Sequence, residues 1–347
     1  MSEQGEETAG ARANPPYLLY LGSATDELSI KTARGLAHWR PAQCLGQHRR
    51  PDCTVSLGLP DLAIAQGRAS GAHSMVIGAA NAGGVMDAQT IADAIAALDA
   101  GLHVVSGLHQ RLRDQPEIVA AARRNGLTLF DARAPQPGIA VGTGKPRLGR
   151  RLLTVGTDCS VGKMYTALAL EQSLRRRGRP ADFRATGQTG ILIAGSGIPI
   201  DAVVADFVSG AAEAISPARD DDGWDLIEGQ GSLFHPSFAG VSLGLLHGSQ
   251  PDALVLCHEP PRRHMRGLPD YPMPDLVACM EANLAAARLT NPTVKPVGIA
   301  LNTSCMQAHE AAATCERIGA WFGLPCQDPV SMGVESITDH LLACFPA

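Results

Sequence analysis

The stretch Thr154-Val155-Gly156-Thr157-Asp158-Cys159-Ser160-Val161-Gly162-Lys163-Met164 decides how this chain is read. An apolar strand runs into a glycine-framed loop that ends in Gly162-Lys163 and opens a helix. In such loops backbone N–H groups turn inward and cradle phosphate, and the lysine adds a positive charge. Two departures qualify the pattern. Gly156 lies one residue farther from Gly162 than GxxxxGK requires, giving GxxxxxGK. The next position, usually a Ser or Thr hydroxyl bound to Mg²⁺, is Met164. The loop is expected to hold phosphate, while Met164 puts ordinary Mg-nucleotide chemistry in question.

Working outward, Arg151–Val155 is the strand before the loop and Lys163 to about Arg177 the helix after it. Phe183 to Gly190 reads as strand into loop, strands follow at Asp225–Glu228, Ala253–Cys257 and Val297–Leu301, and helices at Leu276–Leu289 and His309–Phe322. This is a doubly wound α/β domain whose loops gather at the carboxyl ends of strands, where ligands bind. Upstream the same alternation recurs: Tyr17–Leu21, a helix through Trp39, Ser74–Gly78, Ala88–Ala100, His103–Ser106, Pro116–Arg124 and Leu127–Phe130. Strands alternating with helices of about ten residues predict a parallel, Rossmann-like sheet. Pro and Gly at linker density between Ala134 and Pro146 place the boundary near residue 146. The expected organisation is a disordered tail over 1–14, a Rossmann-like domain over 15–146 and a P-loop NTPase-like domain over 147–347.

Composition narrows the class. Of 347 residues, 45% are hydrophobic, 18% charged and 4% aromatic, as in ordinary α/β proteins. A net charge of −5 offers no electrostatic footprint for nucleic acid or an anionic membrane. The run Arg175-Arg176-Arg177 reads as a solvated helix end. Nine cysteines without a CxxC pair read as reduced thiols, so no disulfide framework and no metal ligand set are assigned. The polar N-terminus lacks an apolar signal core, and no apolar run reaches the ~18 residues of a membrane span. A cytoplasmic, soluble, homo-oligomeric protein is expected.

Several constellations carry candidate chemistry. The loop residues Gly156, Thr157, Cys159, Ser160, Val161, Gly162, Lys163 and Met164 are the candidate cofactor-binding set. Asp158, an acid inside an anion site, is open to three roles: metal ligation, orienting a substrate amine, or capping the helix. The Cys159 thiol near a helix N-terminus is open to a lowered pKa or to simple packing. Glu228, ending the strand Asp225–Glu228 before Gly229-Gln230-Gly231-Ser232, is the first acid/base candidate, and His235 the second. Arg184, Gln188, Thr189 and Arg262 are candidate substrate ligands, the arginines because a guanidinium grips a carboxylate with two parallel bonds. In the first domain, Gly78 to Gly84 does not fit GxGxxG, so a nicotinamide dinucleotide is not expected.

The motifs Gly156–Met164, Arg184–Gly190, Glu228–Ser232 with His235-Pro236, and His247–Asp252 together resemble the D-glutamate N-acetyltransferase family. This family was long labelled a domain of unknown function, with a Rossmann-like N-terminal and a P-loop C-terminal domain. The resemblance covers nearly the whole chain after the tail. It implies acetyl transfer from acetyl-CoA, as co-substrate, to the amine of a small amino acid, D-glutamate. Amide formation requires a base for the ammonium proton and N–H donors for a developing oxyanion. Glu228 or His235 is expected as base, glycine-loop amides as oxyanion donors, Arg184 or Arg262 as carboxylate clamp, and the phosphates of CoA in the loop. The loop is also similar to the GTDxxVGKT loop of dethiobiotin synthetase, which keeps an alternative open: an ATP- and Mg²⁺-dependent ligase or kinase acting on a small carboxylate.

Overall fold

The structure, a computed structural model, describes residues 13–79, 83–134 and 137–346. Most of the expected tail, Ala80-Asn81-Ala82 of the glycine loop and Pro135-Gln136 of the linker lie outside them. By internal contacts the chain forms two compact units. One comprises Met1–Pro135 with Gln188–Pro199, the other Gln136–Gly187 with Ile200–Ala347. Where the sequence suggested one boundary near 146, the chain thus passes between units three times.

The first unit runs β1 Tyr17–Gly22, α1 Lys31–Trp39, β2 Cys44–Arg49, α2 Ile64–Ala69, β3 Ser74–Ile77, α3 Ala88–Asp99, β4 His103–Ser106, α4 Pro116–Asn125 and β5 Leu129–Asp131. Its five strands are parallel, in the order β2-β1-β3-β4-β5. Strands covered on both faces are apolar throughout rather than alternating; β1 and β3 are buried at every position. Leu18, Met75 and Val104 meet Leu98, Leu102 and Ile118 in one core. Pro116 stands at the first turn of α4, where a missing N–H costs nothing, and Gly126 ends that helix at φ 63°.

The second unit runs β6 Arg150–Gly156, α5 Lys163–Arg176, β7 Ala181–Arg184, then α6 Gln188–Ala194, which packs with the first unit. It resumes with α7 Val208–Ile215, β8 Trp224–Ile227, α8 Ala239–Ser249, β9 Ala253–His258, the hairpin β10 His264–Met265 and β11 Leu268–Pro272, and α9 Leu276–Arg288. β12 Lys295–Leu301, α10 Ala308–Phe322, β13 Cys326–Gln327 and α11 Glu335–Cys344 complete it. Six parallel strands stand in the order β13-β12-β9-β6-β8-β7. β6, which feeds the loop, therefore lies between β9 and β8, and the loops after all three emerge at one end of the sheet, as the doubly wound fold requires.

The arginine run at the end of α5 is ion-paired rather than merely solvated. Arg175 meets Glu171 at 3.0 Å, Arg176 meets Glu335 at 2.7 Å and Arg177 meets Asp339 at 2.8 Å. Among the described residues no helix is long and apolar enough to cross a membrane.

Candidate active site

The loop between β6 and α5 is knitted to the loop after β8. Ser232 Oγ donates to the Thr157 carbonyl at 3.1 Å, and the Gly229 N–H donates to Thr154 Oγ1 at 3.0 Å. Close approach forces the glycines here: a Cβ on Gly229 would stand 1.7 Å from the Thr154 carbonyl oxygen. On Gly156 it would stand 2.8 Å from Val161 and 3.2 Å from Lys163 Nζ. Gly162 opens α5 at φ 103°, and Ser160 takes the left-handed region at φ 56°, an uncommon place for a residue with a side chain.

Lys163 turns inward. Its ammonium donates to the carbonyls of Asp158 at 2.7 Å and Gly231 at 2.8 Å, and the residue is 7% exposed. Burial pulls its pKa below the ordinary lysine range, opposed by the charges of Cys159, Cys257, Asp158 and Cys279. The lysine thus braces the two loops rather than hanging free for a ligand phosphate.

Asp158 is fully buried and its carboxylate is saturated. It accepts the Cys159 N–H at 2.6 Å, Arg262 Nη1 at 2.7 Å and the Arg266 N–H at 2.7 Å. Arg262 also donates to the Cys159 carbonyl at 2.7 Å, to the Ser160 carbonyl at 3.2 Å and to Glu259. Arg266 Nη1 reaches Ser160 Oγ at 2.5 Å. The segment from Glu259 into the β10–β11 hairpin is therefore strapped across the loop. Of the three readings of Asp158, the geometry favours none of the simple ones: the carboxylate anchors this strap.

Glu228 sits just past β8 with Oε2 accepting the Thr186 and Gly187 N–H groups at 3.0 and 3.1 Å. Burial raises its pKa, and the bonds from Thr186 and Gly187 and the charge of Lys163 only partly oppose this. A buried carboxyl whose pKa is raised by burial is a candidate for acid–base work.

His235 is 2% exposed and stacks on Phe238 with ring centres 4.5 Å apart. The Ser237 N–H donates to its Nδ1 at 3.1 Å, so the neutral ring carries its proton on Nε2. That Nε2 is buried without a partner. Cys159 Sγ, an Asp158 oxygen and a His235 ring nitrogen lie within 4.8 Å of one another. The trio does not suit a cation: Nδ1 already receives an N–H, Nε2 bears hydrogen, and the Asp158 oxygens are taken.

The remaining candidates divide. Arg184 turns to Asp225 at 2.8 Å and to Asp182 at 3.6 Å, inside a network with Arg219. Asp225 is buried, and its charge claims the guanidinium expected to grip substrate. Gln188 accepts from Arg133 Nη2 at 2.9 Å, and Thr189 Oγ1 lies 3.0 Å from Thr32 Oγ1. Both belong to α6 and the first unit, whereas the loop, Glu228, His235 and Arg262 belong to the second. Thr157 Oγ1 lies 3.0 Å from His258 Nδ1, and burial lowers His258 to about 4, leaving it neutral. Sequence reasoning missed Arg266. The signal was Arg262-Arg263-His264-Met265-Arg266-Gly267, basic residues running into a hairpin glycine.

A Rossmann-like unit joined to a phosphate-loop unit, with a buried carboxyl and a strapped loop, defines a class of two-unit α/β enzymes. The chain belongs to the family DUF1611, described as a domain of unknown function: its P-loop domain matches residues 139–338 and its Rossmann-like N-terminal domain matches residues 48–135. The chain is 52% identical over 327 residues to a D-glutamate N-acetyltransferase of a Pseudoalteromonas species, covering 94% of this chain and 98% of the relative. It is 48% identical over 328 residues to a D-glutamate N-acetyltransferase of Tritonibacter scottomollicae, with the same coverage. The crystal structure of a DUF1611 family protein from Anabaena variabilis superposes with a TM-score of 0.86 at 32% identity, covering 95% of this chain and all of that one. At about half identity over nearly the whole chain the activity class carries over: the protein is an acyltransferase that moves an acetyl group to nitrogen.

Proposed function

We propose that this protein transfers the acetyl group of acetyl-CoA to the amine of D-glutamate. The observation that carries the reading is the pairing of half identity to two relatives of that name with a loop whose metal-binding hydroxyl is replaced by Met164. Transfer of an acetyl group needs no divalent ion, only donors for a developing oxyanion and an acceptor for a proton. The first-turn N–H groups of α5 have no intrahelical acceptors and supply the donors. Glu228 supplies the proton acceptor, since Nδ1 of His235 is already occupied. Arg262 is the arginine at the loop, and Arg184 is held by Asp225.

The donor's thioester is placed at the loop in preference to its phosphates. Lys163, the usual phosphate ligand, is spent on two carbonyls. Purified protein mixed with acetyl-CoA and D-glutamate is expected to release CoA thiol without ATP. Formation of ADP from ATP and D-glutamate, with no thiol released, would replace this reading by the ligase one.

A further inference from the structure

Cys159 stands in the middle of the loop, reduced and partly exposed, while Cys257 and Cys279 nearby are buried with thiols pushed up to about 11 and about 12. Its sulfur shares a 4.8 Å neighbourhood with the Asp158 carboxylate and a His235 ring nitrogen. We propose that Cys159 is the nucleophile of a two-step transfer, accepting the acetyl group as a thioester before the amine takes it. This rests on the acetyl-transfer reading above.

Three features converge on the sulfur. Lys163, four residues on from Cys159, has its ammonium fixed in the loop by the Asp158 and Gly231 carbonyls. The N-terminus of α5 adds its dipole, a setting that favours thiolate. The negative charge of Asp158, which alone would work against a thiolate, is balanced by Arg262 at 2.7 Å. The third feature is independent: His235, 2% exposed, has Nδ1 filled by the Ser237 N–H and an Nε2 without a partner. A buried N–H lacking an acceptor is costly and rare in folded proteins. It is accounted for if the acceptor arrives with the reaction, as charge on the attacking sulfur or on the thioester oxygen. His235 is then a hydrogen-bond donor to the reacting atoms rather than a base.

The steps balance. The Cys159 thiolate attacks the acetyl carbonyl carbon, the new C–S bond forms, and the bond to the CoA sulfur breaks. CoA leaves as thiolate and takes up from solvent the proton that Cys159 gave up. In the second step the neutral amine attacks the acetyl-cysteine carbon, C–N forms and C–S breaks. The nitrogen's surplus proton passes to Glu228 or to the departing Cys159 sulfur. No oxidant, metal or nucleotide enters either step.

The test separates this inference from the substrate assignment. Wild-type protein given acetyl-CoA and no amino acid is expected to release one equivalent of CoA in a burst and to gain one acetyl group, about 42 Da, on the peptide containing Cys159. Cys159→Ser is expected to turn over slowly and accumulate the more stable oxygen ester at that position. Cys159→Ala is expected to lose on the order of 10³-fold or more in kcat while keeping its melting temperature. A wild-type protein that acetylates D-glutamate without acetyl on Cys159, or an Ala variant that keeps a tenth of the activity, overturns the proposal and leaves the substrate reading standing. If D-glutamate is not acetylated, the substrate reading fails, and the acetyl-CoA-only experiment still decides the role of Cys159. Should the Ala variant not fold, the mass of the wild-type and Ser peptides decides alone.

Discussion

Each unit sets a polar network beside its first strand, half-buried in the first and buried in the second, and the two are built to opposite ends. In the first unit Arg50 Nε donates to Asp93 at 3.0 Å and Nη1 to Asp87 at 3.2 Å. Its Nη2 reaches Thr90 Oγ1 at 3.1 Å and also the Tyr20 hydroxyl, which itself donates to Asp93 at 2.7 Å. Charge answers charge, and the network closes on itself. In the second unit Lys163 meets carbonyls rather than a carboxylate, burial raises the Glu228 carboxyl, and His235 keeps an unanswered N–H. A closed network stabilises; an open one reserves a donor and an acceptor for something that arrives. Buried polar groups that fail to satisfy one another are thus the better guide to chemistry than their number.

The contrast can be broken by substitution. The largest effect is expected from Glu228→Gln, which should lower kcat by ~10²–10⁴-fold while the KM for acetyl-CoA stays put, read by steady-state thiol release. The same change should stabilise the fold. Burial raises the Glu228 pKa above its ordinary 4.5, so the native state binds the proton more tightly than the unfolded chain. Stability from this group is fully present below 4.5 and is lost as pH rises through the folded value. Gln cannot ionise and removes that loss, so the variant should melt higher than wild type at pH 8 and no higher at pH 4. Each kcal/mol relieved corresponds to about 2–4 °C. A variant that is less stable at pH 8 would place Glu228 with the closed networks.

Arg50→Ala should act the other way, costing about 1–3 kcal/mol in denaturant unfolding while kcat per folded molecule stays within twofold. A specific loss of kcat would show that the first unit's centre is not merely structural. The smallest effect is expected from Asp87→Ala. Asp87 caps α3 by accepting the Thr90 N–H at 2.6 Å, so about 1 kcal/mol should be lost at neutral pH. Bonds from Thr90 and Arg50 lower this carboxyl to about 2. Its contribution is present above the ordinary 3.8 and fades as pH falls through about 2. The gap between variant and wild type should therefore narrow in acid; a gap unchanged at pH 2 would deny the carboxylate any part.

The central strands were legible because parallel strands covered on both faces are apolar runs, as in Tyr17–Leu21 and Ala253–Cys257. Elements without that signature were not. β2, Cys-Leu-Gly-Gln-His-Arg, is an edge strand with a polar end. α6 hid behind Gly187 and Gly190, and α8 behind four small residues, Gly240, Ser242, Gly244 and Gly248, that blur any apolar stripe. His247-Gly248-Ser249, part of a motif that carried the family resemblance, form the last turn of α8. Within the site, residue types and spacing marked the loop, Glu228, His235 and Arg262, since these lie close to strand ends. The partner of Arg184 was not readable, because Asp225 is 41 residues away in sequence and only the β7–β8 register brings it alongside. Nor was the proton on His235, which a backbone N–H two residues on determines.

The return of Gln188–Pro199 to the first unit has a consequence for how this protein can be taken apart. Ile191, Leu192 and Ile193 of α6 are buried, and Arg40 Nε donates to the Ile193 carbonyl at 3.1 Å. A fragment ending at Pro135 lacks that helix, and one beginning at Gln136 carries it without its seat. The two units are therefore not interchangeable modules. Shuffling between relatives by a single crossover would mismatch α6 with α1, so recombinants should keep residues 1–135 and 188–199 from one parent.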